Sequence, residues 1–310
     1  MSDTSKAASG VGGRPAGMGR FSHGGRLAAQ FCASPLAVVS LAGVAAILLC
    51  AAFAPWLSPT NPYDLATVDV LDSRLPPGET NLTGDFTFVL GSDGLGRDIL
   101  SAIFYGLRTS LMVGVTSGLI GFCLGSGIGL VSAYFGGRVD AFVMRIVDLQ
   151  LSFPTILIAL ILMATLGRGV DKIILALVIA QWAYFARAIR SAALVERAKE
   201  YIEAAECLNL GRGRIIFQHL LPNCLPPLIV IGTVQVAHAI ALEATLSFLG
   251  VGLPVTEPSL GLLIANGFQY VLSGAYWISV YPGIALLLTI VCINLVGDRL
   301  RDVLNPRLSG

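Results

Sequence analysis

The chain has 310 residues, of which 55% are hydrophobic and 13% charged, with a formal net charge of +1. A soluble domain carries about 25% charged residues, and so many apolar side chains cannot hide in one core of this size. A mean hydropathy of +0.78 excludes a disordered chain, and the near-zero net charge excludes a strong pull toward nucleic acid. What remains is an all-α polytopic membrane protein.

In chain order, residues 1–34 read as a cytoplasmic tail, with a flexible Gly/Ser-rich stretch over 1–26. Residues 35–57 form a first transmembrane helix, 58–106 an extracytoplasmic insert, and 107–310 a five-helix core that includes a loop at 187–221. The spans follow from the charges. No Asp, Glu, Lys or Arg occurs from 27 to 63, 109 to 137, 149 to 167, 173 to 186, 215 to 242 or 258 to 297. Helices are expected at roughly 36–55, 110–134, 149–167, 171–189, 223–249 and 276–297. Leu260 to Leu272 is too short for a span and reads as a re-entrant or surface helix. Continuous apolar runs such as Leu41 to Ala54 exclude the alternating strands of a membrane barrel.

Six spans place both termini on one side. That side holds fifteen of the twenty Lys and Arg residues, so both termini are expected in the cytoplasm. The insert is acidic instead, with Asp64, Asp69, Asp72, Glu79, Asp85, Asp93 and Asp98. The first span is longer than a signal-peptide core, and Pro55 follows its would-be cleavage site, which favours a retained anchor. The six cysteines show no C-x-x-C spacing and none lies in an outer loop, so neither a disulfide framework nor a zinc site is indicated.

The three lysines follow Ser5, Asp171 and Ala198, which leaves no phosphate-binding G-x-x-x-x-G-K-[ST] loop. There is no H-E-x-x-H either. The chain is therefore read as no enzyme, with no cofactor of its own. Gly125, Gly127 and Gly129 lie within a span, where they let helices approach closely.

The segment Arg187 to Leu221 is the longest inner connection. Ser191 to Leu208 is dense in helix formers, and Ala198, Ile202, Ala205 and Leu208 give one apolar face. Asn209 and Gly211 tolerate a left-handed backbone and break the helix. A second helix is expected over Arg212 to Leu221, ending before Pro222. The unit is either a solvated connector or a rigid docking knob.

Glu203-Ala204-Ala205, Asn209 and Leu220-Leu221-Pro222 resemble the E-A-A-x-x-x-G…I-x-L-P loop of binding-protein-dependent ABC importer permeases. Asn209 stands in the glycine position, with Gly211 two residues on. Gly91 to Asp98 (G-S-D-G-L-G-R-D), Arg145 to Pro154, Leu246 to Gly252, Pro258 to Gly261 and Asn294 to Pro306 resemble segments of the C-type permeases for dipeptides, oligopeptides, glutathione or nickel. The resemblance runs from about residue 27 to 310. It implies a type I ABC importer permease fold in the cell membrane and a second, homologous permease as partner. It also implies two ATP-binding subunits that use ATP and Mg, and an extracytoplasmic solute-binding protein. Glu203, Ala204, Ala205, Asn209, Gly211, Leu220 and Pro222 would then couple the bundle to the ATPases. Peptide is the commonest cargo of the family, with nickel and glutathione as alternatives. An ion-coupled secondary transporter fits less well, because no internal repeat is seen and mid-membrane acids are nearly absent.

Polar groups within spans need a reason. Gln235, His238 and Glu243 lie in the fifth span, and Asp148 stands at the mouth of the third. Path lining is one reading; bonding to the partner permease, or snorkelling in the case of Glu243, is the other. Pro154, Pro226 and Pro227 are expected to kink their helices.

Overall fold

A computed structural model describes residues 30–64, 68–254 and 256–304. Among these no strand occurs, only two isolated bridges. The tail 1–26 and residues 305–306, the end of the motif that starts at Asn294, lie outside the described residues. The helices are α1 (Pro35–Ala52), α2 (Ile99–Phe135), α3 (Gly137–Leu151), α4 (Thr155–Leu166), α5 (Val170–Arg197), α6 (Glu200–Cys207), α7 (Leu221–Phe248), α8 (Leu260–Phe268) and α9 (Trp277–Leu304). Short turns of helix stand between them. Among the described residues five stretches are long and apolar enough to cross a membrane, six if the bent pair α3 and α4 counts as one.

The spans fall where the charge gaps lie, but three boundaries move. α2 starts at Ile99, well inside the expected insert. Asp98 caps it, accepting from the Ser101 N–H at 2.8 Å and its hydroxyl at 2.6 Å. The third span is not one helix over 149–167. It breaks at Ser152-Phe153-Pro154, and α3 meets α4 at 86°. Proline removes an N–H and its ring clashes with the preceding turn, so α4 restarts after Pro154. At 12 residues, α4 is about 18 Å long and shorter than a bilayer core. α5 runs on to Arg197.

The tightest seam joins α2 to α5. A Cβ on Gly125 would lie 2.3 Å from the Trp182 carbonyl oxygen, and one on Gly129 2.2 Å from that of Ala186. Only glycine allows this approach, as expected at Gly125 and Gly129; Gly127, expected to do the same, faces open space instead. Around the seam, α7 packs on α2, α5 and α9, and α1 packs on α9 and α2.

The insert forms an ordered cap over one end. Gly91 and Gly96 adopt φ 84° and 83°, and Gly96 lies against the Asp69 carbonyl too closely for any side chain. Asp93 accepts from the backbone N–H of Leu95 and Arg97 and pairs with the buried Arg97 guanidinium at 2.7 Å. Trp277 donates to the Ser92 carbonyl at 3.3 Å, and Arg74 stacks over Tyr270 at 5.6 Å. The insert and the segment before α9 therefore make one surface. α8 is short and largely buried against α9 and α7, rather than lying on the surface.

Candidate functional site

The sequence-predicted residues fall in the 187–222 segment at one end of the bundle, at three positions around α7 and, for Asp148, on α3.

In the connection, helix density alone predicts one helix from Ser191 to Leu208. The structure breaks it at Ala198-Lys199, where Lys199 is extended (ψ 144°). The reason is packing. The turn lets Ile202 and Ala205 reach Ile215, Leu220, Ala193 and Leu130 in one buried cluster. Ala198 and Leu208, the other members of the expected apolar face, are exposed. Asn209 takes φ 54°, the left-handed conformation. The Leu210 N–H bonds back to the Ala205 carbonyl at 3.2 Å and the Asn209 N–H to that of Glu206 at 2.9 Å, closing α6 in a Schellman turn. Gly211 is not left-handed, with φ −58°. The second helix does not end before Pro222. Arg212–Leu220 continues through a π-turn over Ile215–Leu220 directly into α7, and Pro222 sits in its first turn. The wider π-turn gives the ring room, and Asn223 donates to the His219 carbonyl at 2.7 Å. Pro226 and Pro227 stay inside the continuous helix without a break.

The result is an eight-residue helix, α6, held by an apolar underside. Glu203 and Ala204 are exposed, and Ala205 and Leu220 are buried. The Tyr201 hydroxyl donates to Glu196 at 2.8 Å and accepts from Asn223 at 3.2 Å. Desolvation, then the hydrogen bond to the Glu196 carboxylate, pushes the pKa of this partly exposed phenol up to about 12. This set was not predicted; the signal was a tyrosine in the first turn of a helix with a carboxylate just before it.

The four residues expected on a path do not come together. His238 is exposed on α7, on one face with Pro227, Val234 and Thr245. Gln235 is buried, and its Nε2 has no partner. It lines a cleft of about 760 Å³ with Val195, Pro227, Val234, Asp298 and Arg301. Glu243 turns the opposite way. It is fully buried and accepts from Ser110 on α2 and Ser247 on α7, each at 2.8 Å. It staples two helices and neither lines the exposed face nor snorkels. Asp148 is exposed on α3 and pairs with Arg187 of α5. Asp140 is held the same way, by Ser132 at 2.6 Å and by Arg190. Among the described residues no group of three or more His, Cys, Asp or Glu is placed to hold a metal ion.

A bundle of long apolar helices with a glycine-sealed seam, and a short helix packed on one end of it, is the architecture of a polytopic helical membrane protein. Residues 125–310 match the family model described as binding-protein-dependent transport system inner membrane component. Residues 25–77 match the N-terminal TM domain of oligopeptide transport permease C. The chain belongs to this family of inner membrane transport components. It is 39% identical to the dipeptide transport system permease protein DppC of Escherichia coli, over 88% of this chain and 89% of that one. It is 36% identical to the probable D,D-dipeptide transport system permease protein DdpC of Escherichia coli, over 96% of both. A putative peptide transport system permease protein of Brucella suis is 41% identical over 85% of both. The MetNI methionine ABC transporter, solved in inward-facing conformations, shares the fold at a TM-score of 0.55 and 20% identity, over 66% of this chain and 96% of that one. The chain is thus a multi-pass inner membrane protein and a transport subunit rather than an enzyme.

Proposed function

We propose that this chain is one of two permease subunits in an ATP-driven importer of di- or oligopeptides. Both termini and the 187–221 connection face the cytoplasm, and the insert faces outward. A second, homologous permease covers the open face of α7, and the translocation path runs between the two. Two ATP-binding subunits, which use ATP and Mg, dock on α6, and an extracytoplasmic solute-binding protein delivers the peptide to the outer cap. The observation that carries the reading is α6 itself. It is a short helix whose apolar side is packed on the bundle and whose Glu203 and Ala204 are left exposed. Such a helix moves as a body with whatever binds it, and binding shifts the bundle only as far as it favours one state over the other. The names of the relatives support peptide as cargo. His238 on an exposed face of α7 supports a polar path, since an imidazole is costly against lipid.

The test is co-expression with the genetic neighbours and purification through a tag on this chain. Recovery of a second permease and ATP-binding subunits, with ATP-dependent uptake of labelled dipeptide in vesicles, is the expected result. Uptake of nickel or glutathione instead would change the cargo. A chain that purifies alone and transports without ATP would sink the reading.

A further inference from the structure

α6 is tethered by two short connections, residues 198–199 and 208–211. Its apolar underside, Ile202 and Ala205, is buried among Ile215, Leu220, Ala193 and Leu130 and sets how deep it sits. Apolar contact is non-directional, and one side chain adds directional bonds to both neighbouring helices. The Tyr201 hydroxyl, in the first turn of α6, donates to Glu196 in the last turn of α5 at 2.8 Å. It also accepts from Asn223 in the first turn of α7 at 3.2 Å. Glu196 is fixed from its other oxygen by Lys199 at 2.6 Å. Asn223 is fixed by its second bond, to the His219 carbonyl at 2.7 Å, within the π-turn. Three helices therefore meet at one oxygen. α5 forms the glycine seam and α7 carries the uncovered stripe, so this oxygen joins the surface helix to both the rigid and the open part of the bundle.

We propose that Tyr201 is the positioning residue that makes α6 transmit force: its hydroxyl clasps α5 and α7 together, so that a pull on α6 moves both helices. Without the clasp, α6 rocks on its apolar underside and the pull is absorbed locally. The inference rests on the proposed ATPase docking and adds the residue that carries the motion inward.

The experiment uses the complete complex in lipid nanodiscs and proteoliposomes, and reads three quantities: co-purified ATP-binding subunits, ATP hydrolysis, and peptide imported per ATP. Tyr201→Phe keeps the ring and its packing and removes only the hydroxyl. Glu196→Ala removes the acceptor, and Glu196→Gln keeps an acceptor oxygen. Expected are unchanged subunit recovery and ATP hydrolysis within about twofold for all three. Peptide per ATP should fall about tenfold in Tyr201→Phe and Glu196→Ala, the upper end of the scale of one hydrogen bond. Glu196→Gln should stay within about twofold of the parent. The double variant Tyr201→Phe/Glu196→Ala should be no worse than either single, as for two halves of one contact. Parental peptide per ATP in Tyr201→Phe overturns the clasp, and so do additive losses in the double variant. Loss of the ATP-binding subunits in Tyr201→Phe also overturns it, by making the residue a docking contact. Failure of the parent chain to recover ATP-binding subunits at all counts against the proposed function instead.

Discussion

Two faces of the same bundle differ sharply: the seam between α2 and α5, and the stripe of α7 through Pro227, Val234, His238 and Thr245. In the seam, backbones touch, with Gly125 and Gly129 each within about van der Waals contact of a carbonyl on α5. Along the stripe the side chains are exposed, an imidazole and a hydroxyl among them. Lipid offers no hydrophobic gain for bringing two helices together, so association relies on close packing, which glycine permits. Lipid also penalises polar groups. The closed seam is thus what the chain completes by itself, and the stripe, with the exposed imidazole of His238, is where the proposed second permease would sit.

The seam should fail first under mutation. Gly129→Val drives side-chain atoms into the Ala186 carbonyl, which is backbone and cannot turn aside. It should cost about 3 kcal/mol, seen as lost yield and a lower thermal midpoint of the detergent-purified chain. Gly127→Ala, two residues away on the same helix, meets nothing within 4 Å. It should leave the midpoint unchanged or raise it by the equivalent of up to about 1 kcal/mol, the helix advantage of alanine. Equal behaviour of the two variants would mean that the seam does not close the bundle.

Glu243 offers a smaller break on the closed side. Glu243→Leu leaves the Ser110 and Ser247 hydroxyls without their acceptor, at about 2 kcal/mol. Glu243→Gln keeps one acceptor oxygen and should cost less than half as much. Thermal midpoints in detergent separate the two. His238→Leu sharpens the contrast from the open side. The isolated chain should keep its midpoint within about 0.5 kcal/mol, while uptake by the assembled complex falls several-fold. A clear loss of midpoint would place His238 in an internal contact instead. The last test is the turn at Asn209. Asn209→Gly should be nearly neutral, and Asn209→Val should cost about 1 kcal/mol because a branched side chain resists φ 54°. Thermal unfolding of the chain and peptide uptake by the complex read both.

Much of this was legible residue by residue. Gly125 and Gly129 announced close helix contact, because glycine inside a span has few other uses. Asn209 announced a left-handed turn, because its side chain tolerates one. The break before α4 was written in Pro154. The path residues were not legible as a set. Gln235, His238 and Glu243 share one helix, yet they face a cleft, the exterior and the interior in turn. Sequence spacing sets their angles around the axis, but which side is covered depends on where α2 and α5 lie. The end of α5 at Arg197 was hidden for a related reason. Ala, Leu, Glu, Lys and Arg continue past it with good helix propensity, and only the pull of the cluster around Ile215 and Leu220 turns the chain aside.

The charge gaps, apolar lengths and turn residues of this chain by themselves determined a helical membrane protein, the places of its spans and the presence of a separate loop helix. These are local quantities, set by the transfer of side chains into lipid and by backbone preference. Tertiary structure alone decided the inward turn of Glu243, the fusion of Arg212–Leu220 with α7 and the meeting of three helices at Tyr201. Each of these depends on which distant segment fills the space beside it, and no local pattern of residues carries that information.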